Sequence, residues 1–251
     1  MDLVLSKGDF IAKGEFGSVY TSKNKLNTVI KIIKKTKNDL EEIKMLKKAQ
    51  SDFVIRLWNW EETPEELILE LEAMWGGDLY KYVYEKKTFP FDITDIYRQI
   101  ILAIKYINNK CIMHRDIKLE NILLSREGKV KLGDFAFAVC FNLDISHPNE
   151  KIINGKFYKI IGTLPYLSPE MINKTGYHKQ TDIWSSGVLL YEMLGGYLPF
   201  ASDNESETLD MICYYNYPPL KTSNKFRTLL SGVLKKNPKE RWTVDEILSH
   251  L

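Results

Sequence analysis

The 251 residues read as an α+β chain in two lobes, a small antiparallel sheet with one main helix and then a larger, mostly α-helical part. Three observations predict this. Apolar and β-branched residues alternate or cluster at 9–20, 28–33, 57–60 and 67–71, the pattern of strands. Trp75-Gly76-Gly77-Asp78 breaks that pattern as a hinge would. Beyond it the spacing becomes helical, with Ile100, Ile101, Ile104 and Ile107 on one stripe of 97–109.

Taken in order, the first strands are separated by the turn Asn24-Lys25-Leu26-Asn27. The helix expected at 38–49 turns Leu40, Ile43, Leu46 and Ala49 inward and Lys44, Lys47 and Lys48 toward solvent. After the hinge, 182–194 forms another apolar helix and 243–251 a last one, whose Asp245 and Glu246 suit the positive end of the helix dipole. No internal repeat or low-complexity tract interrupts the chain.

Composition narrows the function classes. A formal net charge of +2 offers no electrostatic footprint for nucleic acid. Residues 1–8 lack the apolar core of a signal peptide, and no apolar run reaches membrane-spanning length. The expectation is a cytoplasmic protein, with the nucleus as the alternative, and no membrane partner. Cys111, Cys140 and Cys213 are odd in number and have no metal-ligand spacing, which predicts reduced thiols.

The chemistry concentrates at His114-Arg115-Asp116-Ile117-Lys118-Leu119-Glu120-Asn121. An acid (Asp116), a cation (Lys118) and an amide (Asn121) lie close together, and a second acid, Asp134, follows in Gly133-Asp134-Phe135-Ala136. A carboxylate for a hydroxyl nucleophile, an ammonium for a transferring phosphate and two oxygen ligands for a hard cation make a set for phosphoryl transfer. Upstream, Ala12-Lys13-Gly14-Glu15-Phe16-Gly17-Ser18-Val19 has the glycines of a loop that lays backbone N–H groups over phosphates, although two glycines alone also suit an ordinary hairpin. Lys31 falls late in the next strand. Glu42 is its expected partner in preference to Glu41, because Ile43 and Leu46 set the inward helix face.

With these motifs, followed in order by Gly162-Thr163, Ser168-Pro169-Glu170, Asp182-Ile183-Trp184-Ser185-Ser186-Gly187 and Arg241, the chain resembles the eukaryotic-type protein kinases from about residue 9 to residue 251. The resemblance implies the bilobal kinase fold as a single domain over 1–251, with lobes at about 1–74 and 75–251 and an activation segment at 134–170. It implies that Asp116 aligns or deprotonates the substrate hydroxyl, that Lys118 neutralises the γ-phosphoryl group, and that Asn121 and Asp134 hold Mg²⁺, with Mn²⁺ as an alternative. Glu42 would hold Lys31 against the ATP phosphates. Ile11, Ala12, Lys13, Gly14, Glu15, Phe16, Gly17, Ser18, Val19, Val29 and Leu123 would enclose the nucleotide. Glu72 and Met74 would offer hinge backbone to adenine behind Leu71, and Asp78 would reach the ribose. Lys118 and Thr163 resemble the serine/threonine branch, in which such a threonine bonds the catalytic acid and lysine. The stretch 196–200 resembles the calmodulin-dependent and AMP-activated kinases. Glu120 and Glu192, with Asp78 near them, would favour basic residues upstream of the target. Protein substrates are therefore expected, with a monomer as the default state and a nucleotide-binding scaffold as the alternative reading.

Two departures from the family pattern stand out. Ala12 and Ala136 replace expected glycines, which bears on turnover. In 137–162 the only hydroxyl residues are Ser146 and Tyr158, and Lys159 stands where a regulatory threonine is expected. Arg115 is thus expected to lack its phosphothreonine, with Asp144, Glu150 or modified Ser146 or Tyr158 supplying an anion instead.

Overall fold

The period-2 segments pair as their alternation requires. In chain order β1 (Lys7–Lys13), β2 (Ser18–Ser22), β3 (Thr28–Lys34), helix α1 (Asp39–Lys48), β4 (Leu57–Glu62) and β5 (Glu66–Glu72) build the first lobe. The strands form one antiparallel sheet in the order β1-β2-β3-β5-β4. This computed structural model describes residues 3, 6–14, 17–35, 39–86, 89–141 and 152–251. Strand β3 shows why both faces are needed. Ile30 and Ile32 pack with Leu3, Tyr20 and Ile68 on one face, while Val29 and Ile33 join the main core on the other. Lys31 shares the second face by alternation, which directs it at α1.

On α1, Ile43, Met45, Leu46 and Ala49 are buried, but Leu40 remains 43% exposed and does not join the inward face. A spacing of three residues drifts by about 60° per step on a 3.6-residue helix, so Leu40 ends about 180° from Ala49. Glu42 falls near the middle of the buried face instead. Lys48 also departs from expectation: rather than standing in solvent, its Nζ donates to Cys140 Sγ at 2.8 Å.

The second lobe begins with β6 (Gly77–Asp78) and a π-turn over Lys81–Glu85. It continues with α2 (Ile93–Asn109), β7 (Ile112–Met113), β8 (Ile122–Leu124), β9 (Val130–Leu132) and β10 (Val139–Cys140). A hairpin, β11 (Ile152–Ile153) and β12 (Lys156–Phe157), precedes α3 (Pro169–Ile172), α4 (Gln180–Gly195), α5 (Glu205–Tyr214), α6 (Asn224–Val233) and α7 (Val244–Ser249). Helix α2 starts earlier than its apolar stripe because Asp92 caps it, its Oδ1 accepting the Thr94 N–H at 2.7 Å. Helix α4 is buried on every side and forms the axis of the lobe. Thr243 and Glu246 close a capping box on α7. Cys111, Cys140 and Cys213 form no disulfide with one another.

The lobes are joined through backbone. Leu132 N–H donates to Phe53 O at 2.9 Å, and Ile55 N–H donates to Leu132 O at 3.0 Å. Those bonds tie the segment after α1 to the strand that leads into Asp134. Among the described residues, no helix is long and apolar enough to cross a membrane.

Candidate active site

Backbone pairing assembles the site before any side chain acts. Strands β8 and β9 pair Ile122 with Leu132, and Gly133 N–H continues the ladder to Asn121 O at 2.9 Å. Asn121 and Asp134 therefore leave the same end of this small sheet. The loop before β8 is set from below by buried Asp182 at the start of α4, whose oxygens accept the N–H groups of His114 at 2.9 Å and Arg115 at 2.8 Å. His114 is fixed in turn by Nε2 against Gly133 O at 2.9 Å and by an edge-on contact with Phe135. Arg115 at φ 67° and Asp134 at φ 53° hold left-handed backbone, strained for residues with a Cβ.

Asp116 is 3% exposed and held by both oxygens. Oδ1 accepts from Thr163 N–H at 3.0 Å and Thr163 Oγ1 at 2.7 Å. Oδ2 accepts from Asn121 Nδ2 at 3.0 Å and pairs with Lys118 Nζ at 3.1 Å. Lys118 Nζ also donates to Thr163 Oγ1 at 2.7 Å. The four side chains form one closed network, so the carboxylate's orientation is fixed before a substrate arrives. Gly162 allows this approach: at φ 110° it lies so close to Arg115 that a Cβ would meet that carbonyl oxygen at 2.4 Å.

Across the cleft, Lys31 Nζ bridges Glu42 Oε1 at 2.9 Å and Asp134 Oδ1 at 3.0 Å. Glu41 pairs with Lys44 instead. Burial works to lower the Lys31 pKa, but the two carboxylates overcome it and hold the ammonium above its ordinary value. Burial pushes Asp134 the other way, yet the Lys31 cation keeps its carboxyl below the usual range. One cation thus links β3, α1 and the loop after β9.

The remaining nucleotide-site candidates sit on β1, β2, β3, β8 and the chain around the hinge. Ala12 pairs with Val19 and Lys13 with Ser18, while Gly14 N–H closes the turn onto Gly17 O at 2.8 Å. Glu15 and Phe16 lie outside the described residues. A Cβ on Gly17 would stand 2.2 Å from Ile32 O, so this glycine serves the close approach of β2 to β3 as well. Ile11 is 41% exposed, whereas Val29, Met74 and Leu123 are half-buried against the core. The Glu72 side chain is bound to Lys131 at 2.8 Å, and its backbone N–H donates to Arg56 O at 2.9 Å. Asp78 pairs with Leu123 and accepts Lys81 N–H at 2.9 Å.

The two proposed peptide-side acids differ in kind. Glu120 is exposed. Glu192 is 2% exposed, and its oxygens accept the hydroxyls of Tyr84, at 2.6 Å, and Tyr166. Burial raises its pKa despite these donors. Neither tyrosine was identifiable from spacing, because both contacts cross the fold. Glu170 and Arg241 meet as a buried bidentate pair, with Nη1–Oε1 at 2.7 Å and Nη2–Oε2 at 2.9 Å.

Two partners of Arg115 lie among the described residues. Its Nε donates to Phe137 O at 2.8 Å and its Nη1 to the Tyr177 hydroxyl at 3.1 Å. Asp144, Ser146 and Glu150, groups expected to supply an anion for it, lie outside the described residues.

A held acid and lysine on one side and a cation clamped by two carboxylates on the other match the set that phosphoryl transfer requires, on a two-lobed α+β frame. The protein kinase domain family model matches residues 5–251, and the chain belongs to that family. It is 32% identical to an Aurora-related protein kinase of Caenorhabditis briggsae over 98% of this chain and 84% of the relative. It is 33% identical to a SNF-related serine/threonine-protein kinase of Rattus norvegicus, covering 100% of this chain and 33% of the relative. With a cAMP-dependent protein kinase of Saccharomyces cerevisiae it shares 32% identity over 82% of this chain and 49% of that protein. The chain thus spans about half the length of this last relative and a third of the rat one.

Proposed function

We propose that this domain is a serine/threonine protein kinase, with the closed network of Asp116, Lys118, Asn121 and Thr163 as the observation that carries the reading. The substrate hydroxyl oxygen attacks the γ-phosphorus, and the bond to the bridging oxygen breaks with its electron pair leaving on ADP. Asp116 aligns the hydroxyl and receives its proton. Lys118 offsets charge on the transferring group, and Thr163 keeps both in register. Lys31, held by Glu42, faces the nucleotide phosphates.

The donor set fits a hard cation. Asn121 and Asp134 would hold Mg²⁺ by oxygen, leaving other positions to phosphate and water, as that ion prefers. When bound, the ion shields negative charge on the phosphates. Val19, Val29 and Leu123 would sandwich the base, with the backbone of Glu72 and Met74 at the hinge. The catalytic unit spans about 1–251, divided near residue 74.

Preference for basic residues upstream of the target rests on Glu120 and Asp78, while a guanidinium reaching Glu192 would have to displace the Tyr84 hydroxyl. A positional-scanning peptide library with no enrichment of Arg or Lys before the target would rule this preference out.

The central test is transfer of ³³P from Mg·ATP to a mixed protein substrate. Asp116→Asn is expected to lower the rate by at least about 10²–10³-fold, on the precedent of other transition-state contacts, with nucleotide binding retained. Nucleotide binding without any transfer by the unaltered chain would favour a scaffold.

A further inference from the structure

One hydroxyl joins the catalytic loop to the chain that leads into Thr163. Tyr177, between α3 and α4, is 2% exposed. Its oxygen accepts from Arg115 Nη1 at 3.1 Å, and its proton goes to Lys159 O at 2.8 Å. Its backbone exchanges both hydrogen bonds with Phe157, the last residue of the β11–β12 hairpin, at 2.9 and 3.0 Å. The hairpin is closed by Asn154 and Gly155 at φ 51° and 72°, a tight turn that needs left-handed residues at both positions. The Arg115 guanidinium lies 5.8 Å from the Phe157 ring centre, and Phe157 is 1% exposed. A Cβ on Gly176 would come within 2.8 Å of the Tyr158 ring, so the two segments are in close contact before Tyr177 is reached.

A buried guanidinium has to be matched by acceptors. Where a loop supplies none, an added phosphate can order it through new charge-assisted bonds. Here Phe137 O and the Tyr177 hydroxyl, both neutral, are among the acceptors of Arg115, and residue 159, which carries the next oxygen of the relay, is a lysine.

We infer that Tyr177 is a positioning residue for phosphoryl transfer: its hydroxyl pins the 152–160 segment to Arg115 and makes the substrate-ready arrangement independent of phosphorylation in that segment. The inference rests on the kinase reading for its catalytic consequence but not for the anchoring itself. Tyr177 touches no reacting group. It acts through the chain path to Thr163, and Thr163 orients Asp116.

The test is Tyr177→Phe, which retains the ring and its packing against Phe157 and removes one acceptor and one donor. Amide hydrogen exchange across 152–160 is expected to rise about tenfold, the scale of one net hydrogen bond, while exchange in β3 and α1 is unchanged. In transfer assays, kcat/KM for protein substrate is expected to fall about tenfold, with KM for ATP unchanged. Phosphatase-treated wild type should keep its full rate. Unchanged exchange in the variant would overturn the anchoring whatever the catalysis. Faster exchange with an unchanged kcat/KM would overturn the positioning role, and loss of activity on phosphatase treatment would overturn phosphorylation independence. If wild type transfers no phosphate yet the exchange difference is present, the anchoring stands and the kinase reading fails.

Discussion

Gly14 and Gly17 look alike in the sequence but do different things. A Cβ on Gly14 would find only Gly17 O, at 3.9 Å, whereas one on Gly17 would meet Ile32 O at 2.2 Å. Gly17→Ala is therefore expected to force β2 from β3 and destabilise the fold by about 1–3 kcal/mol, the usual scale of overpacking. Gly14→Ala is expected to leave thermal stability near wild type. Melting curves of the two variants check the contrast. The same scale explains Glu42. Its place just before Ile43 and four residues before Leu46 was readable as a helix-face argument, and Lys31 does meet it. That Lys31 also reaches Asp134, 103 positions away, was not readable, because nothing local to either residue encodes the pairing.

At the scale of elements, strands were the more legible class. Strands β3 and β5 match their segments nearly end to end, and β5, buried on both faces from Leu67 to Leu71, is marked by a short apolar run rather than by alternation. Helix α1 showed how a stripe of three-residue spacing misleads: Leu40 lay on it and ended in solvent. Helices α5 and α6 were not anticipated, although Asn204 and Ser223 cap them and were signals of the kind that marks a helix start. The Asn154-Gly155 turn is a local signal that closes β11 onto β12. Its meaning came from the partner across the fold, where Phe157 and Tyr177 exchange backbone bonds.

At the scale of the whole molecule, the Lys31 ion pairs join elements of both lobes and make acid stability a test of closure. Asp134 titrates below its ordinary value in the folded chain. Its contribution is therefore present above the unfolded carboxylate pKa, about 3.9, and is lost as pH falls through the lower folded value. For Lys31, whose folded pKa is raised, the contribution is present below its ordinary value and fades only in strong base. The melting temperature should fall below about pH 4, and Lys31→Met should show a shallower acid limb because Asp134 then loses its cation. An acid limb of equal slope in both proteins would count against the ion pair as a closing contact. The sequence by itself determined the α+β division, the order of the motifs and the residue types of the phosphoryl-transfer set, because these follow from local periodicity and from the chemistry a reaction requires. Only the tertiary structure decided which groups hold them: Tyr84 and Tyr166 on Glu192, Asp182 under the catalytic loop, and Tyr177 on Arg115. Those partners are chosen by burial, since a polar group removed from water must find whichever donor or acceptor the packed chain brings within reach.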